Sequence, residues 1–303
     1  MKTGSVSLIG RPNSGKSTLL NTIVGAKVAI VSDKPQTTRN RILGVKNYPE
    51  GQIVFVDTPG IHRPLHRMNV RMVDAAVDTL REVDVVVHVF DATTRPGHGD
   101  EFVSSLLAKV KAPVVLVLNK VDVVAKAKLL PLIERTQKWH DYAAIVPVSA
   151  LTGDGIDRLE RVLLEHLPEE EPIYPEDFLT DQPERSLVAE TVREKLLQHT
   201  HAELPFSTAV VVDKFDEEDR ERVLRLYCTI LVEHESQKAI VIGRGGEMIK
   251  RIGTEARKDL EDAFETRVFL DLRVKVNPDW RDNDRALDEL GVPRTVRKPR
   301  RRG

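Results

Sequence analysis

Gly10-Arg-Pro-Asn-Ser-Gly-Lys-Ser17 follows a short apolar run, Val6 to Ile9, and opens into Thr18-Leu-Leu-Asn-Thr-Ile-Val24, which has a helical pattern. Strand, GxxxxGKS loop and helix in that order are the context that makes this pattern a phosphate site. Gly10 and Gly15 let the loop wrap with its backbone N–H groups turned inward, beside the positive end of the helix. Lys16 brings a point charge to the β- and γ-phosphates, and Ser17 offers a hydroxyl to Mg²⁺. The stretch from Gly10 through Arg11, Pro12, Asn13, Ser14, Gly15, Lys16 and Ser17 to Thr18 is the candidate nucleotide cradle.

At 303 residues two cores are expected, and 41% hydrophobic residues suffice for both. Charged residues reach 31% but the net charge is only -1, which excludes nucleic-acid binding by bulk charge; a basic surface must be local. The lone cysteine, Cys228, fits a reducing compartment. Met1-Lys-Thr-Gly runs directly into a strand, without a signal-peptide pattern, and no apolar run approaches the roughly 20 residues of a membrane span. The expectation is a soluble, cytoplasmic protein.

Beyond the first helix, strand-like runs recur at 41–46, 52–56, 83–90, 114–118 and 144–148, with helical patterns at 70–80, 100–110, 126–140 and 155–166. Such alternation predicts an α/β domain, residues 1–167, with a mainly parallel sheet covered on both faces. Ligands of these sheets sit at the C-terminal strand ends. Asp57-Thr-Pro-Gly60 falls at one such end, where Asp57 can hold Mg²⁺ through water and the Gly60 N–H can face a γ-phosphate. Asn119-Lys-Val-Asp122 falls at another. Asp122 can accept from N1–H and the 2-amino group of guanine, whereas adenine would leave that carboxylate unpaired. Asn119 is placed to brace the loops and Lys120 to cover the base, while Ser149, Ala150 and Leu151 present backbone N–H groups to the guanine O6.

Thr37-Thr38 lies between the phosphate loop and Asp57, where a threonine can close over Mg²⁺ in the presence of a γ-phosphate. Thr38 is the favoured ligand and Thr37 the alternative. Lys16, Thr38 and Gly60 are thus the candidate catalytic groups, and Ser17, Thr38 and Asp57 the candidate Mg²⁺ set. Ile61 occupies the position where many GTPases orient water with glutamine, so turnover needs backbone groups, a monovalent cation or a partner. The Asn13 side chain is a candidate ligand for K⁺.

An acidic, proline-rich run follows, read as a semi-extended linker over 168–185. Residues 186–281 then show a helix, two strands, a helix pair and a last strand. The helix carries Leu187, Val188, Val192, Leu196 and Leu197 on one face. The charged turn from Asp213 to Arg222 reads as a solvated hairpin tip, and no function is attached to it. Ile242-Gly-Arg-Gly-Gly246 sits between the paired helices. A GxxG turn brings backbone close to a nucleic-acid chain, and Arg244 adds charge. Ile242, Gly243, Arg244, Gly245, Gly246, Lys250, Arg251, Arg257 and Lys258 are the candidate RNA contacts. The order αββααβ is that of an α+β KH domain of the bacterial type II form. Residues 282–303 are read as a C-terminal helix and a basic tail with Arg294, Arg297, Lys298 and Arg300 to Arg302, serving either RNA contact or charge balance. His62, His66, His199 and His201 have no metal-ligand spacing.

Together these motifs, with Gln36-Thr-Thr-Arg39, Glu235-Ser-Gln-Lys238, Gly253 to Leu260 and Val274 to Arg281, make the chain resemble the Era family, bacterial GTPases of the TrmE-Era-EngA-like group with a C-terminal KH domain. The resemblance spans Ser5 to about Leu290. It implies a monomeric P-loop GTPase with GTP or GDP and Mg²⁺ as ligands. It also implies binding to the 3′ end of small-subunit ribosomal RNA during assembly of that subunit, and a loose association with the inner membrane. Ile61 agrees with the hydrophobic residue that family carries there; the arginine-rich tail departs from it. A pure RNA-binding module with an inert nucleotide domain is the main rival, and phosphate release separates the two. A tRNA-modifying GTPase would want a catalytic cysteine, and a membrane-remodelling one a long apolar or amphipathic helix.

Overall fold

A computed structural model describes residues 1–34, 37–60, 66–200 and 204–292. Gln36, Ile61, His62, His201 and the tail arginines and lysine beyond Val292 lie outside the described residues. The chain divides into two compact units, one of Met1–Ala29, Thr38–Asp181 and Gly291–Gly303, the other of Ile30–Thr37 and Gln182–Leu290.

In the first unit the order is β1 (Lys2–Ile9), α1 (Lys16–Val24), β2 (Ile42–Tyr48), β3 (Gly51–Asp57), α2 (Arg67–Thr79), β4 (Val85–Asp91), α3 (His98–Leu107), β5 (Val114–Asn119), α4 (Lys126–Thr136), β6 (Ala144–Pro147) and α5 (Ile156–His166). The sheet order is β2-β3-β1-β4-β5-β6, with only β2 antiparallel to its neighbour. Every residue of β3 and β5 is buried, as a parallel sheet covered on both faces requires. Registers such as Leu8 opposite Asp57 and Asp91 opposite Asn119 bring the C-terminal strand ends level, so every nucleotide motif emerges on one edge.

The acidic run, read as a semi-extended linker, is tied to the sheet up to Asp181. The carbonyl of Pro168 accepts from the Thr3 N–H at 3.1 Å, and that of Leu179 accepts from the Val45 N–H at 2.8 Å. The buried Gln52 amide donates to the Tyr174 carbonyl and accepts from the Ile173 and Tyr174 N–H groups. Tyr174 and Phe178 stack at 4.4 Å against Leu43, Val45 and Val54. Aromatic burial and backbone pairing on the sheet outweigh the extended preference of the prolines, and the run up to Asp181 is a strap on the first unit.

In the second unit α6 (Glu184–His199), α7 (Leu204–Ser207), β7 (Ala209–Asp216), β8 (Leu224–Val232), α8 (Glu235–Ile242), α9 (Glu247–Phe264), β9 (Val268–Val276) and α10 (Asp284–Glu289) follow. The sheet order is β7-β8-β9, antiparallel then parallel. Val188, Val192 and Leu196 of α6 meet Ile252, Ala256 and Leu260 of α9 over Leu226, Cys228 and Ile230 of β8. Cys228 is buried and burial pushes its thiol up to about 12, which removes it as a nucleophile. No helix of the described residues is long and apolar enough to cross a membrane.

Candidate functional site

The loop between β1 and α1 holds its shape through Gly15, at φ +92°, where an added Cβ would lie 2.2 Å from Asn119 Nδ2. Lys16 is 5% exposed, and its ammonium donates to the carbonyls of Gly10 and Arg11 at 3.3 and 3.1 Å. The side chain thus already lies along the loop that would surround a phosphate chain. Burial pulls its pKa below the ordinary lysine value, opposed by the Asp57 charge.

Three oxygens converge beside it. Ser17 Oγ donates to Asp57 Oδ2 at 2.7 Å and lies 2.8 Å from Thr38 Oγ1, which is 3.3 Å from the same carboxylate oxygen. Burial pushes the Asp57 carboxyl above the usual range, while Lys16, Ser17 and Thr38 act the other way. Asp57 Oδ1 is buried with no hydrogen-bond partner. An orphaned carboxylate oxygen among hydroxyls is the hard-oxygen donor set that Mg²⁺ takes, so these residues fit the ion. Thr37 turns away: its hydroxyl donates to the Lys34 carbonyl at 2.6 Å. Gly60 is buried against Pro12.

At the other end of the cradle, Asn119 donates from Nδ2 to the Ser14 carbonyl at 2.9 Å and accepts from the Lys120 and Ala150 N–H groups on Oδ1. Lys120 has a left-handed backbone, φ 67°, and its ammonium reaches the Asn13 carbonyl at 2.8 Å and Asp91 Oδ2 at 2.6 Å. Asp122 is exposed in the turn that follows. The Ser149 and Ala150 amides donate to Asp154 O and Asn119 Oδ1, so among the described residues Leu151 has the one uncommitted amide of the three. Thr18 lies in the first turn of α1, and the exposed Asn13 also has a left-handed backbone, φ 64°. Two residues that sequence reasoning missed complete the loop. The nearly buried Asp100 on α3 receives Arg11 Nη1 at 3.0 Å, and Asp91 neutralises Lys120. Neither belongs to a motif, and only the fold brings them in.

In the second unit, α8 ends at Gly243 and the chain turns through Gly245 at φ 61° and Gly246 at φ 83° before α9 begins. Residues with positive φ in succession are reserved for glycine, which keeps the turn free of side chains except that of Arg244. A groove of about 440 Å³ runs between α9 and β9. Lys250 and Arg257, two turns apart on α9, line it; Arg251 and Lys258 lie on the next stripe, and Arg251 pairs with Glu255 at 3.2 Å. Ile242 is half-buried at the end of α8. The groove's apolar side, Ile249, Leu270, Leu272 and the 49% exposed Phe269, was not among the expected contacts. A signal was present: Phe269 is in phase with Arg273 and Lys275 on the polar face of β9, where an aromatic is out of place.

Residues 5–120 match the family described as "50S ribosome-binding GTPase", and residues 203–281 match the KH domain family. The chain is 52% identical to GTPase Era of Geotalea daltonii over 289 residues, covering 95% of this chain and 97% of that protein. It is 47% identical to GTPase Era of Ruminiclostridium cellulolyticum over 290 residues, 96% and 97% of the two chains. A crystal structure of Era in complex with MgGDPNP and nucleotides 1506–1542 of 16S ribosomal RNA superposes with a TM-score of 0.93, at 43% identity over 96% of this chain and 99% of that one. A point variant of Aquifex aeolicus Era bound to GDP.AlF4- gives 0.92, at 42% identity with the same coverage. Phosphate loop, base-reading loop and GxxG groove thus occur in one chain with the order and nearly the full length of those proteins, and the chain belongs to the Era family of GTPases.

Proposed function

We infer that the chain is a GTP-hydrolysing switch that binds the 3′ end of small-subunit ribosomal RNA through its KH domain and acts in assembly of that subunit. The observation that carries the nucleotide half is the meeting of Ser17, Thr38 and Asp57 around one unpartnered carboxylate oxygen. The RNA half is supported by the cationic and aromatic groove beside Gly243 to Gly246, and by the related Era bound to 16S rRNA nucleotides 1506–1542.

Ser17, Thr38 and Asp57 are the residues assigned to hold Mg²⁺, which supplies charge neutralisation at the phosphates. Lys16 adds a second positive charge where negative charge develops, and the Gly60 N–H orients the terminal phosphate. Asp122 reads the guanine edge, Asn119 fixes the spacing between base loop and phosphate loop, and the Leu151 amide is free to meet O6. Lys250, Arg257 and Arg244 take phosphates, and Phe269 offers a stacking face. Asn13 is assigned a K⁺ contact. A cytoplasmic monomer with peripheral contact to the inner membrane completes the reading.

Phosphate release by the full chain from GTP and ATP, with and without RNA of 16S nucleotides 1506–1542, tests it. Release from GTP alone is expected, faster in K⁺ than in Na⁺. Equal affinity for ATP, or no release even with RNA, overturns the switch; equal rates in the two salts remove the role given to Asn13.

A further inference from the structure

Helix α6 is buried on two faces, where its apolar pattern accounts for one. Val188, Val192 and Leu196 enter the core, yet Arg193, Glu194 and Lys195 are only 2%, 3% and 8% exposed. Charged side chains are almost never buried to that degree unless paired. Each of these is paired: Arg193 with Glu190 and the Thr37 backbone, and Glu194 with Lys195 on a path that runs from the Val31 backbone to Asp259. Arg193 donates from Nε to Glu190 Oε1 at 2.9 Å and from Nη2 to the Thr37 carbonyl. Glu194 accepts the Val31 N–H on Oε1 at 2.9 Å. Its Oε2 lies 3.6 Å from Lys195 Nζ, which in turn lies 2.7 Å from Asp259 Oδ2 on α9.

Val31 and Thr37 are therefore each held through a backbone group by one stripe of α6, Val31 by Glu194 and Thr37 by Arg193, which Glu190 braces. Val31 and Thr37 belong with α6 to the second unit, and one of the boundaries between the units falls at the Thr37–Thr38 peptide. Thr38, the next residue, faces Ser17 and Asp57. On the far side of the path, Asp259 lies two positions after Arg257, which lines the groove.

We propose that Glu190, Arg193, Glu194 and Lys195 are the receiver of the nucleotide switch: Arg193, braced by Glu190, holds the Thr37 backbone, Glu194 holds that of Val31, and Glu194 and Lys195 carry the position through Asp259 to α9, setting RNA affinity. This rests on the reading above, that a nucleotide acting at Thr38 governs RNA binding. Backbone acceptors and donors suit the task because the grip survives any side-chain motion in the loop. The buried Glu194 and Lys195 suit it because a buried charge is costly to leave unpaired, so displacement of one must be followed by the other. These are positioning residues; none lines the groove or the nucleotide cradle.

The dissociation constant of RNA of 16S nucleotides 1506–1542 is measured for the full chain loaded with GDPNP and with GDP. The wild-type constants are expected to differ by about fivefold or more, the lower end of ordinary coupling between sites. In Lys195→Met, and separately in Asp259→Asn, the ratio is expected to fall to within about twofold of one, with GDPNP affinity in the absence of RNA unchanged. Asp259 is the more exposed partner, so Asp259→Asn keeps the test valid where Lys195→Met fails to fold. A folded variant that keeps the wild-type ratio overturns the relay while leaving the switch reading intact. Equal RNA affinity of the wild type in both states overturns the switch reading itself, and the relay with it. A purely structural role would lower the unfolding midpoint and leave the ratio alone, and that outcome also overturns the proposal.

Discussion

Asn119 Nδ2 donates to the Ser14 carbonyl at 2.9 Å, so a residue at the end of β5 closes the loop that follows β1. The same side chain accepts the Ala150 N–H. Asn119→Ala removes both ties at once and leaves buried polar groups unmatched. At about 1–1.5 kcal/mol for each lost bond, GTP and GDP affinity should fall by about 30- to 150-fold. Calorimetric titration of the nucleotide-free protein checks this, and wild-type affinity would show that the brace contributes nothing.

Asp57 presents one oxygen to Ser17 and Thr38 and leaves the other unpartnered. In Asp57→Asn a neutral amide replaces the carboxylate, and Mg²⁺ should lose its grip. Wild-type GDPNP affinity should fall by about tenfold or more when Mg²⁺ is chelated, while that of the variant should barely respond. A variant as sensitive to chelation as the wild type removes Asp57 from the metal set.

Asp122 is exposed and carries a carboxylate that matches two guanine donors. Asp122→Asn reverses one hydrogen-bond polarity and should cut the preference for GTP over xanthosine triphosphate by about 100-fold, within the range for lost polar recognition. Competition binding reads it directly. An undiminished preference refutes the assignment.

Nothing lies within 4 Å of a Cβ added at Gly245, but its φ is +61°. Gly245→Asp therefore meets no clash, bears a left-handed cost of about 1–2 kcal/mol, and sets a negative charge where RNA phosphates approach. RNA crosslinks should disappear while GTP binding stays at the wild-type level. Persistence of those crosslinks would place the RNA elsewhere.

His88 is buried in β4 with Nδ1 2.9 Å from the Tyr142 hydroxyl, and burial, with His140 and Lys16 nearby, holds its pKa down to about 3. A histidine neutral when folded and protonated when unfolded contributes stability above the unfolded value of about 6.5 and loses it as pH falls from there toward the folded value. The first unit should lose about 2 kcal/mol between pH 7 and pH 5 through this residue alone. His88→Gln should be less stable at pH 7 and flatter with pH in urea unfolding. Parallel curves for the two proteins would exclude the linkage.

The nucleotide cradle could be read from the chain because its residues sit on local patterns. Lys16, Asp57 and Asn119 each stand beside a strand or helix end with the spacing of a loop built for one ligand. Arg193 and Glu194 gave no such signal. Within α6 they read as ordinary solvent-facing charges, whereas in the fold Thr37 and Val31 meet them and both are buried. Gln52 escaped notice for the same reason, since its partners Ile173 and Tyr174 are more than a hundred positions away. Phe269 was legible in principle but hidden by its neighbours: a strand rich in Val and Leu makes one more apolar residue look like core. The acidic run was misleading because composition reports the preference of an isolated segment, not the pull of an open sheet margin beside it.

That margin gives the Tyr174–Leu179 stretch a protective consequence. β2 ends the sheet, and a terminal strand with spare amide and carbonyl groups invites a second molecule to zip onto it. By occupying the Val45 amide and shielding Leu43 and Val54 with stacked rings, the stretch denies newcomers that template. A domain released by cutting at Leu167 would shed its guard and be prone to polymerise, whereas one cut at Asp181 would keep it.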